Sequence, residues 1–286
     1  MKQADSIQSC AVLGAGTMGH GIAQICAQSG MEVRLFDVAE QALQKGMAGI
    51  DRMLNKAVEK GKATREDSDQ ALARISTTTD LAKACAQVDL VIEAVPERLD
   101  LKKSLFQQVE AVVDGDCLLA SNTSSLSINA LAEVVQKPDR FLGLHFFNPV
   151  PLMPLLEIVI GGKTAESSIA CAQDLGRRWG KQPIVVRDAP GFASSRLGIA
   201  IAMEAIRMVE EEVASPADID TAMELGYRHP MGPLKLTDLV GLDVRLGIAE
   251  YLSRELGPRF EPPQLLRDMV AEGRLGKKVG RGFYEW

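Results

Sequence analysis

The chain has 286 residues, 46% of them hydrophobic and 24% charged, with a formal net charge of -6, which is the composition of a globular protein of one large or two ordinary domains and excludes a disordered or fibrous chain. An acidic balance gives no general attraction to nucleic acid or to an anionic membrane surface, so an anionic ligand has to be held by local features such as helix N-termini and single lysines. The five cysteines form no C-x-x-C pair, which argues against a disulfide framework or a zinc site; no metal is expected, no apolar run reaches the ~18 residues of a membrane span, Met1 to Gln8 lacks the apolar core of a signal peptide, and the expected location is the cytoplasm.

Along the first two thirds, short apolar runs alternate with longer amphipathic ones. Strands are predicted at Cys10–Leu13, Val33–Phe36, Val88–Ala94, Cys117–Ala120, Phe141–Phe146, Leu155–Ile160 and Ile184–Val186. Helices are predicted at Met18–Ser29, Glu40–Lys60, Leu101–Val113 and Ala165–Trp179. Strands alternating with helices imply a mainly parallel sheet with helical crossovers. After Arg187 the pattern changes. Asp188-Ala-Pro-Gly191 signals a turn, and Ile199, Met203, Ile206, Val209 and Val213 then recur at helical spacing. Ser215-Pro-Ala-Asp218 has an N-cap, a proline at the first helical position and an acid in the capping-box position. Further helices are expected after Gly232-Pro233 and Pro262-Pro263. The expected organisation is an α/β domain over residues 1–187 and an all-helical domain over 188–286.

The first predicted strand runs into Gly14-Ala-Gly16-Thr17-Met18-Gly19, a G-x-G-x-x-G that opens a predicted helix. The first glycine permits the tight turn and the second lets backbone approach a pyrophosphate. The third lets helix and strand pack closely, while the helix N-terminus holds negative charge. The pattern alone is weak, but here it has a strand before it and a helix after it. The second strand ends in Asp37, which lies 23 residues after Gly14, about the spacing at which an acid meets the ribose 2′-hydroxyl of a dinucleotide. A carboxylate there repels a 2′-phosphate, so the reading is a Rossmann-type domain that binds NAD rather than NADP. The bland alternative for Asp37 is a helix N-cap or turn residue.

Three histidines are available for acid–base chemistry. His20 falls inside the first helix and reads as a packing or surface residue. His229 stands in the turn Gly226-Tyr-Arg-His-Pro-Met-Gly-Pro233 and reads as a loop residue. His145 ends the run Phe141-Leu-Gly-Leu-His-Phe-Phe147 and precedes Asn148-Pro149. Ligands of open α/β sheets lie beyond the carboxyl ends of the strands, so this histidine is well placed to act on a substrate; the alternative is a satisfied core residue. Glu157 is a lone charge in Leu155-Leu-Glu-Ile-Val-Ile160 and needs a partner there. A turn rich in proline separates it from His145, and strands joined that way can bring the two together or leave Glu157 with another partner. If they meet, the carboxylate fixes the imidazole tautomer and favours its protonated form, which suits a base acting on an alcohol. Asn148 and the run Ser121-Asn-Thr-Ser-Ser125 add donors at the same sheet edge.

Six segments together carry a resemblance. Gly14-Ala-Gly-Thr-Met-Gly19, Val91-Ile-Glu-Ala-Val-Pro-Glu97, Ser121-Asn-Thr-Ser-Ser125, Gly143-Leu-His-Phe-Phe-Asn-Pro149, Pro190-Gly-Phe192 and Gly276-Lys-Lys-Val-Gly-Arg-Gly-Phe-Tyr284 resemble the L-3-hydroxyacyl-CoA dehydrogenases, a group that includes bacterial 3-hydroxybutyryl-CoA dehydrogenases. The likeness runs from Ser9 to the C-terminus; its His-Phe-Phe-Asn-Pro and Gly-Lys-Lys blocks are the specific ones, whereas many dehydrogenases share the glycine loop. The resemblance implies His145 as general base or acid, Glu157 as its orienting partner and Ser124 as a donor to the substrate's 3-oxygen near the nicotinamide. On the cofactor side it implies Asp37, Glu97, Lys102, Asn148 and Lys278; Lys60 resembles a lysine that contacts the CoA nucleotide. It also implies a homodimer through the helical domain, which helps close the substrate cleft, and a place in fatty-acid metabolism such as β-oxidation. Solvated surface charge is the plain alternative for the three lysines. One departure stands out. The family usually has an asparagine directly before the arginine after Pro-Gly-Phe, where it helps position substrate; this chain has Ser195 before Arg196, a shorter side chain with one donor instead of two. A small hydroxyl residue of the family's second helix is replaced by Met53.

The expected activity is interconversion of L-3-hydroxyacyl-CoA and 3-ketoacyl-CoA with NAD. A relative acting on a free hydroxy acid, such as an L-gulonate 3-dehydrogenase, keeps the same base and cofactor loop without CoA contacts. A non-catalytic, crystallin-like NAD-binding protein is the third reading, and the intact His145, Glu157 and Ser124 argue against it. Acyl chain length and pathway are not legible.

Overall fold

The computed structural model of the protein describes residues 3–286. The chain divides into two compact units, one ending at Asp188 and the other spanning Ala189–Trp286.

The first unit is built on an eight-stranded sheet. In chain order its elements are β1 (Ser9–Leu13), α1 (Thr17–Gln28), β2 (Glu32–Phe36), α2 (Glu40–Glu59), α3 (Arg65–Ala73), β3 (Ile75–Thr78), α4 (Leu81–Cys85), β4 (Leu90–Glu93), α5 (Leu99–Glu110), β5 (Leu118–Ser121), α6 (Ile128–Ala132), β6 (Phe141–Phe146), β7 (Leu155–Ile160), α7 (Glu166–Arg178) and β8 (Gln182–Arg187). The strand order is β3-β2-β1-β4-β5-β6-β7-β8. All neighbours are parallel except β6 and β7, which are antiparallel. Strands β4, β5 and β6 are buried along their whole length. That follows from helices covering both faces of a parallel sheet, and it is why these strands read as unbroken apolar runs. The edges behave differently: β3 and β8 have no fully buried residue.

The predicted elements differ from these mainly at their ends, and four elements carry no clear prediction: α3, β3, α4 and α6. Strand β3 has one apolar residue in Ile75-Ser-Thr-Thr78, so no periodicity marks it. Helix α3 starts at a capping box, in which Thr64 accepts from the Asp67 amide and the Asp67 carboxylate accepts from the Thr64 amide. Strand order reverses at β1, with β2 on one side and β4 on the other. A crevice opens beyond the carboxyl ends of the strands at such a point, and the glycine loop leaves β1 there.

The second unit consists of α8 (Ser194–Glu210), α9 (Pro216–Thr221), α10 (Pro233–Val240), α11 (Leu242–Leu256) and α12 (Gln264–Ala271), with no strand among its described residues beyond isolated bridges. Ile199, Met203 and Ile206 of α8 are buried in its core with Leu234, Leu252 and Leu266. Val213 lies past the end of α8 and is 60% exposed, so the predicted periodicity runs one step too far. Ser215 caps α9 by accepting from the Asp218 amide. The C-terminal segment folds onto Asp238, a buried carboxylate that accepts from the amides of Phe283 and Tyr284 and from the Trp286 indole, each at 2.9 Å. Gly282 is required by this contact, because a Cβ on it would lie 2.1 Å from Asp238 Oδ1.

Candidate active site

The cofactor cradle forms where β1, β2 and β4 end. Gly14 has a φ of 103°, and a Cβ there would sit 2.7 Å from the Ala94 carbonyl oxygen. A Cβ on Gly19 would fall 1.7 Å from the Gly14 carbonyl oxygen, so α1 can pack this closely on the loop only with glycine at that position. Nothing lies within 4 Å of a Cβ built on Gly16; its backbone faces open space. The first N–H groups of α1 have no partners inside the helix, and Gly16 provides no side-chain cap. They border a cavity of about 650 Å³ whose lining includes Gly14, Gly16, Thr17, Met18 and Asp37, a volume suited to a small-molecule cofactor. Asp37 Oδ2 accepts from the Ala15 amide at 2.9 Å and Oδ1 from the Ala39 amide at 3.0 Å. The carboxylate therefore braces the turn and still has lone pairs for a ribose hydroxyl. The cradle, the uncapped helix start and this acid fit NAD.

His145 and Glu157 face each other across the antiparallel β6–β7 pair, in direct register. His145 Nδ1 lies 2.7 Å from Glu157 Oε2, and the Glu157 side chain is fully buried. An ionised carboxylate accepts only, so opposite ionised Glu157 the ring donates from Nδ1 and presents Nε2 as its basic nitrogen. The antiparallel turn achieves what a parallel crossover could not: it returns the chain within 12 residues and puts an acid beside the histidine. Phe147 packs a ring 4.5 Å from the imidazole. Asn122 Oδ1 accepts from the Phe146 amide at 3.0 Å, which ties the serine-rich loop after β5 to the strand of His145. Ser124, in that loop, is exposed.

Glu97 organises the serine loop. Its Oε1 accepts from Thr123 Oγ1 at 2.5 Å and from the amides of Ser124 and Ser125 at 2.9 and 3.1 Å. Burial pushes this carboxyl up, but Lys102 and the loop's hydrogen bonds outweigh it and hold it below the usual carboxylate range. Lys102 is 1% exposed, with Nζ 2.6 Å from Glu93 Oε1 and 3.2 Å from Glu97 Oε2. Glu93 also accepts from Ser121 Oγ and the Val95 amide; burial pushes its carboxyl up despite these contacts. Glu93 was not among the site residues expected from the sequence, although it too is a lone acid at the end of an apolar run.

The remaining expected residues belong to both units. Asn148 is exposed and lines a second cleft of about 330 Å³ with Lys45, Arg52, Met53 and Thr17, the last of which also lines the cofactor cavity. Lys60 is the exposed C-cap of α2. Lys278 belongs to the second unit, where both Asp243 carboxylate oxygens accept from its ammonium at 2.6 Å. Ser195 is half-buried in the first turn of α8. His20 Nδ1 lies 2.8 Å from the Gly16 carbonyl, and its ring packs beside Gly49 of α2, a packing role. The half-buried His229 bonds through its amide to Met223. All five cysteines are buried, and none forms a disulfide. No described helix is long and apolar enough to cross a membrane.

Comparison with known proteins gives a consistent result. Residues 9–189 match the family described as 3-hydroxyacyl-CoA dehydrogenase, NAD binding domain, and residues 191–286 match 3-hydroxyacyl-CoA dehydrogenase, C-terminal domain. A probable 3-hydroxybutyryl-CoA dehydrogenase of Deinococcus radiodurans is 45% identical over 96% of this chain and 99% of its own length. A 3-hydroxyadipyl-CoA dehydrogenase of Escherichia coli is 44% identical over 98% of this chain, which spans 59% of that longer protein. The crystal structure of (S)-3-hydroxybutyryl-CoA dehydrogenase from Ralstonia eutropha superposes with a TM-score of 0.95 at 43% identity, covering 98% of this chain and 99% of that one.

Proposed function

Because the chain belongs to the 3-hydroxyacyl-CoA dehydrogenase family and is an NAD-dependent dehydrogenase, we propose that it interconverts L-3-hydroxyacyl-CoA and 3-ketoacyl-CoA thioesters, with His145 as the proton-transferring group. The observation that carries this reading is the 2.7 Å bond between His145 Nδ1 and Glu157 at the carboxyl edge of the sheet. When bound, NAD supplies the acceptor for the hydride that leaves C3. His145 Nε2 takes the proton of the 3-hydroxyl, and the imidazolium formed is stabilised by Glu157. In the reductive direction the same nitrogen returns the proton. Ser124, on the loop held by Glu97, donates to the 3-oxygen and so orients C3. Position and charge are the protein's contribution; the redox chemistry is the cofactor's.

The same reading gives Glu97, Lys102, Asn148 and Lys278 to the cofactor side and Lys60 to the CoA nucleotide. It assigns the glycine-loop part of cofactor binding to the first unit and, to the second, Lys278, a share in the substrate cleft and a homodimer interface. Such an interface would cover apolar side chains of the second unit such as Leu197, Leu225 and Tyr227, which are 64%, 79% and 77% exposed. A cytoplasmic location agrees with five cysteines that form no disulfide.

The deciding experiment is a panel of short and long 3-ketoacyl-CoA substrates with NADH and with NADPH, alongside gulonate with NAD. Turnover of the thioesters with NADH is expected; activity on gulonate alone would sink the proposal. Replacement His145→Gln is expected to lower kcat by about 10²–10⁴-fold with NAD affinity retained, and near-normal turnover would remove His145 from the mechanism.

A further inference from the structure

Arg245 is the most anomalous charge in the second unit. It sits on α11, 7% exposed. Its Nε has no hydrogen-bond partner, and no acid among the described residues pairs with the guanidinium. Burial lowers its pKa to about 10, so the group remains charged at neutral pH. Other buried cations of this protein have an acid or carbonyls at their charged ends: Lys102 faces two carboxylates, Lys181 two carbonyls, and Arg140, whose Nε is also without a partner, a glutamate and two carbonyls. An isolated buried guanidinium is costly unless an anion joins it.

The guanidinium packs against α8. Arg245 Nη1 lies 3.2 Å from where a Cβ on Gly198 would be. Gly198 is inside α8, where glycine weakens a helix, and its missing side chain is what admits the guanidinium. Ser195 lies three residues earlier on α8 and therefore on the same face. Ser195 and Arg245 thus both belong to the Gly198 face of α8, and a guanidinium fork matches a carboxylate in both planarity and spacing.

We propose that Arg245 and Ser195 form a carboxylate-binding site in the second unit. Two sources have the required chemistry: the far end of an acyl chain that terminates in a second carboxylate, or a free small carboxylate. The site stands on its own geometry; only its assignment to the acyl chain rests on the dehydrogenase reading. On that assignment the shortened residue at 195 and the arginine at 245 act together. Serine gives space for the chain end, and arginine neutralises it.

The test compares wild type with Arg245→Met, and with Arg245→Gln should the first fail to fold. One arm measures kcat/KM for 3-oxoadipyl-CoA against 3-oxohexanoyl-CoA, chains of equal length that differ in the terminal carboxylate. The ratio is expected to favour the carboxylate-ended chain in wild type and to fall by at least about 30-fold in the variant, as when one partner of a desolvated charge pair is removed. The second arm follows thermal unfolding with millimolar adipate or hexanoate, independent of turnover. The variant alone should melt higher than wild type, since an unpaired buried charge is gone, and should lose any upward shift that adipate produces. An adipate shift lost in the variant, with an unchanged substrate ratio, assigns the site to a free carboxylate. An unchanged ratio with no Arg245-dependent carboxylate shift overturns the proposal. If neither thioester is turned over, the function proposed above fails, and the melting arm still decides this site.

Discussion

Both units bury carboxylates, and their partners differ in kind. In the first unit Glu157 faces an imidazole, and Glu93 faces an ammonium that a second acid shares. In the second unit Asp238 and Asp220 receive only neutral donors: Asp238 the segment Phe283–Trp286, and Asp220 the amides of Leu234 and Lys235 and the Tyr284 hydroxyl. An acid surrounded by fixed neutral donors has one protonation state to satisfy, and it serves as a fastener. An acid opposite a group whose charge can change stabilises one protonation state of that group, which is what proton transfer requires. The second unit's Tyr284 shows the contrast from the other side: burial and the hydrogen bond to Asp220 push its phenol far up, so it remains a neutral donor.

The strongest way to break this contrast is Glu157→Gln. Glutamine preserves shape but can present its amide nitrogen to Nδ1, which then has to accept, leaving the hydrogen on Nε2. The imidazole would be held in the wrong tautomer. The expected loss in kcat is about 10²–10³-fold, within the span of general acid–base catalysis, with NAD affinity unchanged by fluorescence titration. A loss below about threefold would mean that Glu157 is a fastener like Asp238.

The counterpart is Asp238→Ala. It would leave two backbone amides and an indole N–H without their acceptor, at about 1–3 kcal/mol for each group that stays buried. Denaturant unfolding should lose about 3 kcal/mol or more, and the Trp286 signal should change at lower denaturant than the first unit's transition. Steady signals from Trp286 with unchanged stability would show that the tail is held by its own turn and not by the carboxylate.

The contrast was only partly visible in the sequence. Apolar runs marked seven of eight strands, because central strands covered on both faces carry little else. The eighth, β3, is a half-exposed edge of four residues with a single apolar side chain and gives no periodic signal. Helix α3 did carry its Thr64–Asp67 capping box, but it is polar up to Gln70, with only Ala71, Leu72 and Ala73 apolar, too few to mark a helical period. In the candidate site, Glu157 was legible as a charge in a run that could not solvate it. Glu93 bore the same mark, yet it ends its strand, where an acid is ordinary. Arg245 was hidden more thoroughly: an arginine in an amphipathic helix reads as a solvated face, and only packing against Gly198 reveals that it is enclosed. Partner identity is a matter of three dimensions, and for Lys278 the ammonium faces Asp243.

Lys278 therefore supplies the finest test. The hydrogen bond from Lys278 holds the Asp243 carboxyl below its usual range, with burial opposing. A depressed acid pKa contributes stability above the unfolded value of about 3.9, and that contribution disappears as pH falls through the lower folded value. Both side chains are 40% or more exposed, at 46% and 40%, so solvent screening confines the pair to about 1 kcal/mol or less. Replacement Lys278→Ala should cost no more than this at neutral pH, and its stability difference from wild type should vanish when Asp243 is protonated. NAD affinity separates the two roles for this lysine. If the ammonium serves only Asp243, the dissociation constant is unchanged; if it also serves the cofactor, as the proposed function holds, binding weakens by far more than the stability loss accounts for, and the effect fades with added salt as an interaction between exposed charges must.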